Sequence, residues 1–218
     1  MTPQMGLFFG SIAFVGTHFL MSHPLRAAMI RRFGHKGFTG VYSLVSLILF
    51  ALIIWSYRAI GREPQLWVPN NYTWGIGAIL TWVGIVLFVG SFVGNPALPG
   101  APGPKGGPKG VFTVTRHPMM WGFALWAMTH IFVLATFKAV VLYGSILFLA
   151  LVGSAMQDRK KAMLMGDQWH EWTAQTAFIP FTRGLANPGM VAIVGGTLLF
   201  LIATWAHRVP AGFWRWIG

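Results

Sequence analysis

The chain has 218 residues, of which 55% are hydrophobic and only 9% charged, against about 25% charged in ordinary soluble domains, so a soluble fold is excluded. Sixteen Lys and Arg face four acids, Glu63, Asp158, Asp167 and Glu171, for a formal net charge of +12. The basic residues fall at helix ends and in connections, which suits anionic lipid headgroups better than nucleic acid. No nucleic-acid motif accompanies them. Cysteine is absent, which rules out disulfides, thiolate ligation, Fe–S clusters and a Cys nucleophile, and leaves His, Met or carboxylate to hold any metal.

The apolar stretches recur at close to the ~20 residues that a helix needs to cross a ~30 Å hydrocarbon core, and they predict an all-α, polytopic membrane bundle of about six transmembrane helices. The first runs from about Met5 to Met21 and stops at Ser22-His23-Pro24. It lacks the basic n-region and small-residue cleavage site of a signal peptide, and is expected to stay as a mature helix. The second spans about Thr39 to Tyr57, and the third about Trp74 to Val93, after a polar segment with Gly61, Pro64, Pro69 and Asn70-Asn71. From Gly94 to Gly110 the run NPALPGAPGPKGGPKG is too rich in Pro and Gly to be helical, and it predicts a flexible or extended loop.

The fourth helix is expected to begin at Pro118, because proline suits a first-turn position, and to reach about Thr136. The fifth follows Lys138 and ends before Gln157-Asp158-Arg159-Lys160-Lys161. The polar stretch from about Met165 to Gly189, with Trp169, Trp172 and Phe178 mixed into it, reads as an interfacial segment. A sixth helix covers about Met190 to Ala206, and Phe213-Trp214-Arg215-Trp216 reads as an aromatic anchor at the bilayer surface. The connections after helices one, three and five carry 11 of the basic residues and the other side carries 5. The positive-inside rule then places those connections in the cytoplasm and both termini outside.

An ionisable side chain inside the hydrocarbon region is costly enough to mark a candidate site. His18 in the first helix and His130 in the fourth meet that description; His23 and His117 sit at the ends of the same helices, His35 and His170 in polar segments, and His207 closes the sixth. Two neutral imidazoles from two helices can hold a haem between them. The small residues beside them, Gly16 and Thr17 near one, Ala127 and Thr129 near the other, would admit a bulky group. The plainer alternative is that each imidazole hydrogen-bonds to a neighbouring helix. Arg116 and His117, at the start of the fourth helix, form a cationic pair suited to a phosphate, carboxylate or propionate, assisted by the helix dipole. An ordinary snorkelling helix start explains them equally well. Asp158 is a possible ionic partner for this site.

Three stretches carry a resemblance: HFLMSHPLR from His18 to Arg26, TRHPMMWGFALWAMTH from Thr115 to His130, and GSAMQDRK from Gly153 to Lys160. Together, in this order, they resemble the NnrU family of bacterial membrane proteins, which includes the 15-cis-zeta-carotene isomerases of plants and cyanobacteria. The likeness covers about residues 5–185 of a chain read as a single domain over 1–218, with an added C-terminal helix at about 190–206. It implies a non-covalently bound haem b with His18 and His130 as axial ligands, and cofactor contacts from Arg26, Arg116 and His117. It also implies a bacterial inner-membrane location, a link to denitrification and nitric oxide metabolism, and a haem-dependent cis–trans isomerisation of an apolar polyene in the isomerase branch. Ala127 stands where the plant enzymes place a cysteine three residues before the histidine, which favours the bacterial branch. The RHP element is also similar to that of isoprenylcysteine-type membrane methyltransferases and sterol reductases. Those imply S-adenosylmethionine or NADPH, with acids such as Asp167 and Glu171 to hold it. A non-catalytic haem sensor or assembly factor is a third class.

Overall fold

In the computed structural model, residues 2–98, 101, 103–104, 106–184, 186–207 and 209–217 are described. Lys105 and Arg208, two of the basic residues in the charge count, and residues 99, 100 and 102 of the Pro/Gly-rich loop lie outside them. The described chain is all helical: α1 Pro3–Ser22, α2 Arg26–Ala59, α3 Asn71–Gly90, α4 Pro118–Leu134, α5 Phe137–Met165, α6 Asp167–Gln175 and α7 Met190–Trp205, with 3-10 turns at Gly110–Thr113 and Gly212–Trp216. Four of these, α1, α2, α3 and α5, are long and apolar enough to cross a membrane. The apolar helices α4, with 17 residues, and α7, with 16, are shorter, each about 25 Å at ~1.5 Å per residue.

The helix starts follow from local chemistry. The Thr2 hydroxyl accepts from the Met5 amide and Pro3 fills the first turn of α1. Asn70 and Thr73 satisfy each other's backbone amides at the start of α3, a reciprocal cap, and Thr136 caps α5. Gly34, at φ 70°, breaks α2 into a short first piece and a long second one, which is why the sequence pattern found only the later part. α4 ends earlier than expected, at Ala135 in a left-handed conformation.

The helices pack in the order α2, α1, α5, α4, α3, α7, each against the next. Small residues set the close approaches. A Cβ on Gly122 of α4 would sit 2.7 Å from the Gly84 carbonyl oxygen of α3, and one on Gly196 of α7 would sit 2.6 Å from Val86 Cα of α3. The antiparallel pairing of α3 with α4 continues at Thr129, whose hydroxyl donates to the Gly77 carbonyl at 3.1 Å. Of α2 only Ile53 and Ser56 are buried, and exposed Leu44, Leu47, Ile48 and Trp55 cover its outer face, as suits a helix in contact with lipid.

Two expectations are corrected. The run Gln157–Lys161 is not a connection but part of α5, held there because Gln157 Nε2 donates to the Ala97 carbonyl and Lys161 Nζ to the Pro96 carbonyl. Those bonds attach the described part of the Pro/Gly-rich loop, non-helical as expected, at Pro96 and Ala97: Gln168 Nε2 donates to the Pro104 carbonyl as well, and Ala97 is buried. Finally, Trp169 and Trp172 of α6 lie in the protein core with Val86, Leu87, Val111 and Phe112 rather than at a bilayer surface. Their hydrophobic area is buried against protein because α6 folds back onto the end of α5.

Candidate functional site

The two ends of α4 carry the chemistry-bearing side chains. At its N-terminal end His117 precedes Pro118, so its ring is placed by the entry turn, which Thr115 fixes by donating to the Phe178 carbonyl at 2.7 Å. Asp158, from the last part of α5, meets both residues of the expected cationic pair. Arg116 Nε and Nη2 reach its Oδ2 at 2.9 and 2.8 Å, and His117 Nε2 reaches its Oδ1 at 2.9 Å. Arg116 Nη1 donates to the Thr176 carbonyl at 3.1 Å, and the guanidinium lies 5.3 Å from the centre of the Phe178 ring.

The carboxylate thus neutralises Arg116 internally, and each of the three guanidinium nitrogens has a partner within the protein. With Asp158 ionised, His117 Nε2–H donates to it, and in the neutral imidazole Nδ1 then presents a lone pair. That atom is buried without a partner, in a side chain that is only 2% exposed. The indole nitrogens of Trp169 and Trp172 are likewise buried and unpaired. Arg26 stacks on Phe38 at 5.8 Å and has no ion pair among the described residues. Asp167 lies on the surface, 3.9 Å from His170, and Glu171 lines a cleft of 260 Å³ with Gln168, Trp172 and Gln175. Neither acid forms an ion pair with Arg116 or His117 among the described residues.

His18 and His130 share one local geometry. His18 Nδ1 donates to the Phe14 carbonyl at 2.7 Å and His130 Nδ1 to the Trp126 carbonyl at 2.8 Å, each one turn back along its own helix. A proton held on Nδ1 leaves the lone pair on Nε2, the tautomer that ligates a metal. Their surroundings differ. His18 sits on Phe14 and Tyr42 with Nε2 3.4 Å from the Ser46 hydroxyl of α2. His130 stacks on Tyr143 of α5 at 4.7 Å and lies 4.5 Å from Trp126.

Nothing in these contacts joins the two. His23, just past α1, reaches the Met156 carbonyl of α5, whereas His130 stacks on Tyr143 of the same helix. With ~1.5 Å per residue, the His18 and His130 backbones then stand on levels roughly 12 Å apart. Both side chains lean toward their helix N-termini, hence toward each other, which closes part of that gap. The near neighbour of His130 is instead His207, with ring centres 6.4 Å apart. His207 gave no sequence signal beyond its place at a helix end.

The NnrU protein family model matches residues 6–214. The chain belongs to the NnrU family. No curated protein and no solved structure matches it. In NnrU terms, the match runs past the expected core at 5–185 and takes in α7, His207 and the 3-10 turn at Gly212–Trp216.

Proposed function

We propose that this NnrU protein is a haem b-binding protein of the bacterial inner membrane, crossing it six times with both termini outside, and that His18 and His130 are its candidate imidazole ligands. The observation that carries the reading is the shared tautomer: each ring is locked by Nδ1–H to its own helix and presents Nε2 within an apolar helix. A polar ring in that setting is expensive unless something repays its desolvation, and coordination does so. The donor set suits haem b, because with no cysteine in the chain covalent attachment through thioethers is impossible and imidazole is the remaining nitrogen ligand.

When bound, the haem would supply an iron able to bind a small gas or to act on a polyene double bond, the two activities that resemblance to the family implies. The chain's own part is to fix the ring orientation through the Phe14 and Trp126 carbonyls and to surround the site with Phe14, Trp126, Tyr42 and Tyr143. These side chains exclude water and suit an apolar substrate. The six-span reading is supported by the side-by-side packing of α4 and α7 on α3, since a tilted or thinned bilayer accommodates helices of about 25 Å.

The test is the absorbance spectrum of the full chain, expressed with ample haem supply and purified in detergent. A Soret band with pyridine haemochrome of the b type is expected. A haem-free protein from haem-replete cells overturns the proposal.

A further inference from the structure

Three cations meet where the turn between α1 and α2 packs on the last part of α5. His23 Nε2 lies 3.4 Å from the Met156 carbonyl of α5, which sets the start of α2 beside the polar end of that helix. Arg26 is the first residue of α2, and Lys160 and Lys161 belong to α5. Direct Coulombic repulsion acts between Arg26 and each lysine, and between the two lysines. Lys161 is buried and fixed, because its Nζ donates to the Pro96 carbonyl at 3.0 Å. Arg26 lies against Phe38, and Lys160, half-buried, has no hydrogen bond or ion pair among the described residues. No side chain caps α2, whose N-cap is Leu25, so the positive end of its dipole adds to the same place.

Like charges held together call for a counter-anion, and the chain's own acids are placed elsewhere. Of the four, Glu63 accepts from the Lys138 amide, Asp158 is shared by Arg116 and His117, Asp167 lies near His170, and Glu171 lines the cleft on α6. None pairs with Arg26, Lys160 or Lys161 among the described residues. Depth selects the anion. The polar part of α5 begins after Met156, so Lys160 stands roughly 6 Å beyond the apolar part, within the headgroup layer of roughly 5–7 Å that covers each face of the hydrocarbon core. On the membrane side the seam between α1 and α5 continues as Phe19 against the exposed Phe148, with ring centres 6.2 Å apart. That apolar surface suits an acyl chain.

We propose that Arg26, Lys160 and Lys161 form a binding site for the headgroup phosphodiester of an anionic phospholipid such as phosphatidylglycerol, seated where α1, α2 and α5 meet. The site does not depend on haem. A zwitterionic lipid offers the same phosphodiester with a cation attached, so three unneutralised cations discriminate against it.

The experiment titrates the detergent-solubilised full chain with phosphatidylglycerol, or with phosphatidylcholine, and reads the bound lipid by native mass spectrometry. Each cation removed weakens the hold on an anionic headgroup roughly fivefold, so Arg26→Gln/Lys160→Gln is expected to bind phosphatidylglycerol roughly 25-fold less tightly than the unsubstituted chain. Lys161 is left in place because its bond to Pro96 holds the loop. Arg31→Gln/Arg32→Gln removes the same charge from exposed positions and is expected to change the affinity by less than about threefold, since exposed charges are screened. Equal losses in the two double variants would show diffuse surface attraction and overturn the proposal, as would phosphatidylcholine bound as tightly as phosphatidylglycerol. Inorganic phosphate that displaces the lipid at equal concentration makes this a free-phosphate site and overturns the lipid assignment. Unchanged affinity in Arg26→Gln/Lys160→Gln also overturns it, and a loss of haem alongside gives Arg26 to the cofactor instead. If that variant does not accumulate, Lys160→Gln alone is expected to lose roughly fivefold in affinity, and no loss overturns the proposal.

Discussion

The two ends of α4 hold their histidines by different partners. At the N-terminal end Arg116, His117 and Asp158 form a closed network in which the charges cancel and the guanidinium bonds inward to Asp158 and Thr176. At the C-terminal end His130 and His207 each spend one nitrogen on their own helix and leave the other open. The first arrangement joins α4 to α5 through ion pairs, with His117 Nδ1 left buried and unpaired; the second has no ion pair among the described residues. Conspicuous charge in a sequence is therefore a poor guide to a ligand site, because opposite charges in a low-dielectric setting tend to find each other.

The sharpest way to break this contrast is Asp158→Ala. It leaves Arg116 and His117 buried without their carboxylate, and removing one partner of a largely buried pair costs about 3 kcal/mol. Denaturant titration in detergent should show that loss, while the spectrum expected of the proposed haem keeps its shape because the C-terminal end of α4 is untouched. A spectrum changed as strongly as by His130→Ala would mean the two ends are not independent.

Gly122→Ala probes the packing that joins the ends. Its Cβ would meet the Gly84 carbonyl at 2.7 Å, and overpacking of this kind costs about 2 kcal/mol. The expected result is a lower melting temperature with α3 and α4 pushed apart; an unchanged melting temperature would show that the interface yields freely. The smallest effect belongs to Trp121→Phe, which removes the 2.8 Å hydrogen bond from the indole to the Phe178 carbonyl. A loss of about 1 kcal/mol is expected, and it should be confined to stability with no spectral change. A larger loss would mark the Phe178 segment as the keystone of the closed end.

Much of the architecture was legible in the residues. Long apolar runs bounded by Ser22-His23-Pro24, Asn70-Asn71 and Pro118 located α1, α3 and α4, because hydropathy and backbone capping act over a few neighbouring residues. The loop from Gly94 is non-helical as expected, but its attachment and the course of the run after Met156 were not legible. Where they pack is decided by Gln157, Lys161 and Gln168 bonding to carbonyls some sixty residues away, which no local preference specifies.

The candidate site divides along the same line. The sequence by itself determined that this is a helical membrane protein, that only His, Met or carboxylate could hold any metal, and that His18 and His130 fall within apolar helices. It also carried the three stretches that mark the NnrU family. Only the tertiary structure decided that Asp158 closes on Arg116 and His117, that Trp169 and Trp172 are core residues, and that His207 stands beside His130 rather than His18. Hydrophobic period and caps are properties of a single helix and are written locally, whereas the partner of a side chain depends on which helices pack side by side and in which direction, here through glycine contacts that no local pattern specifies.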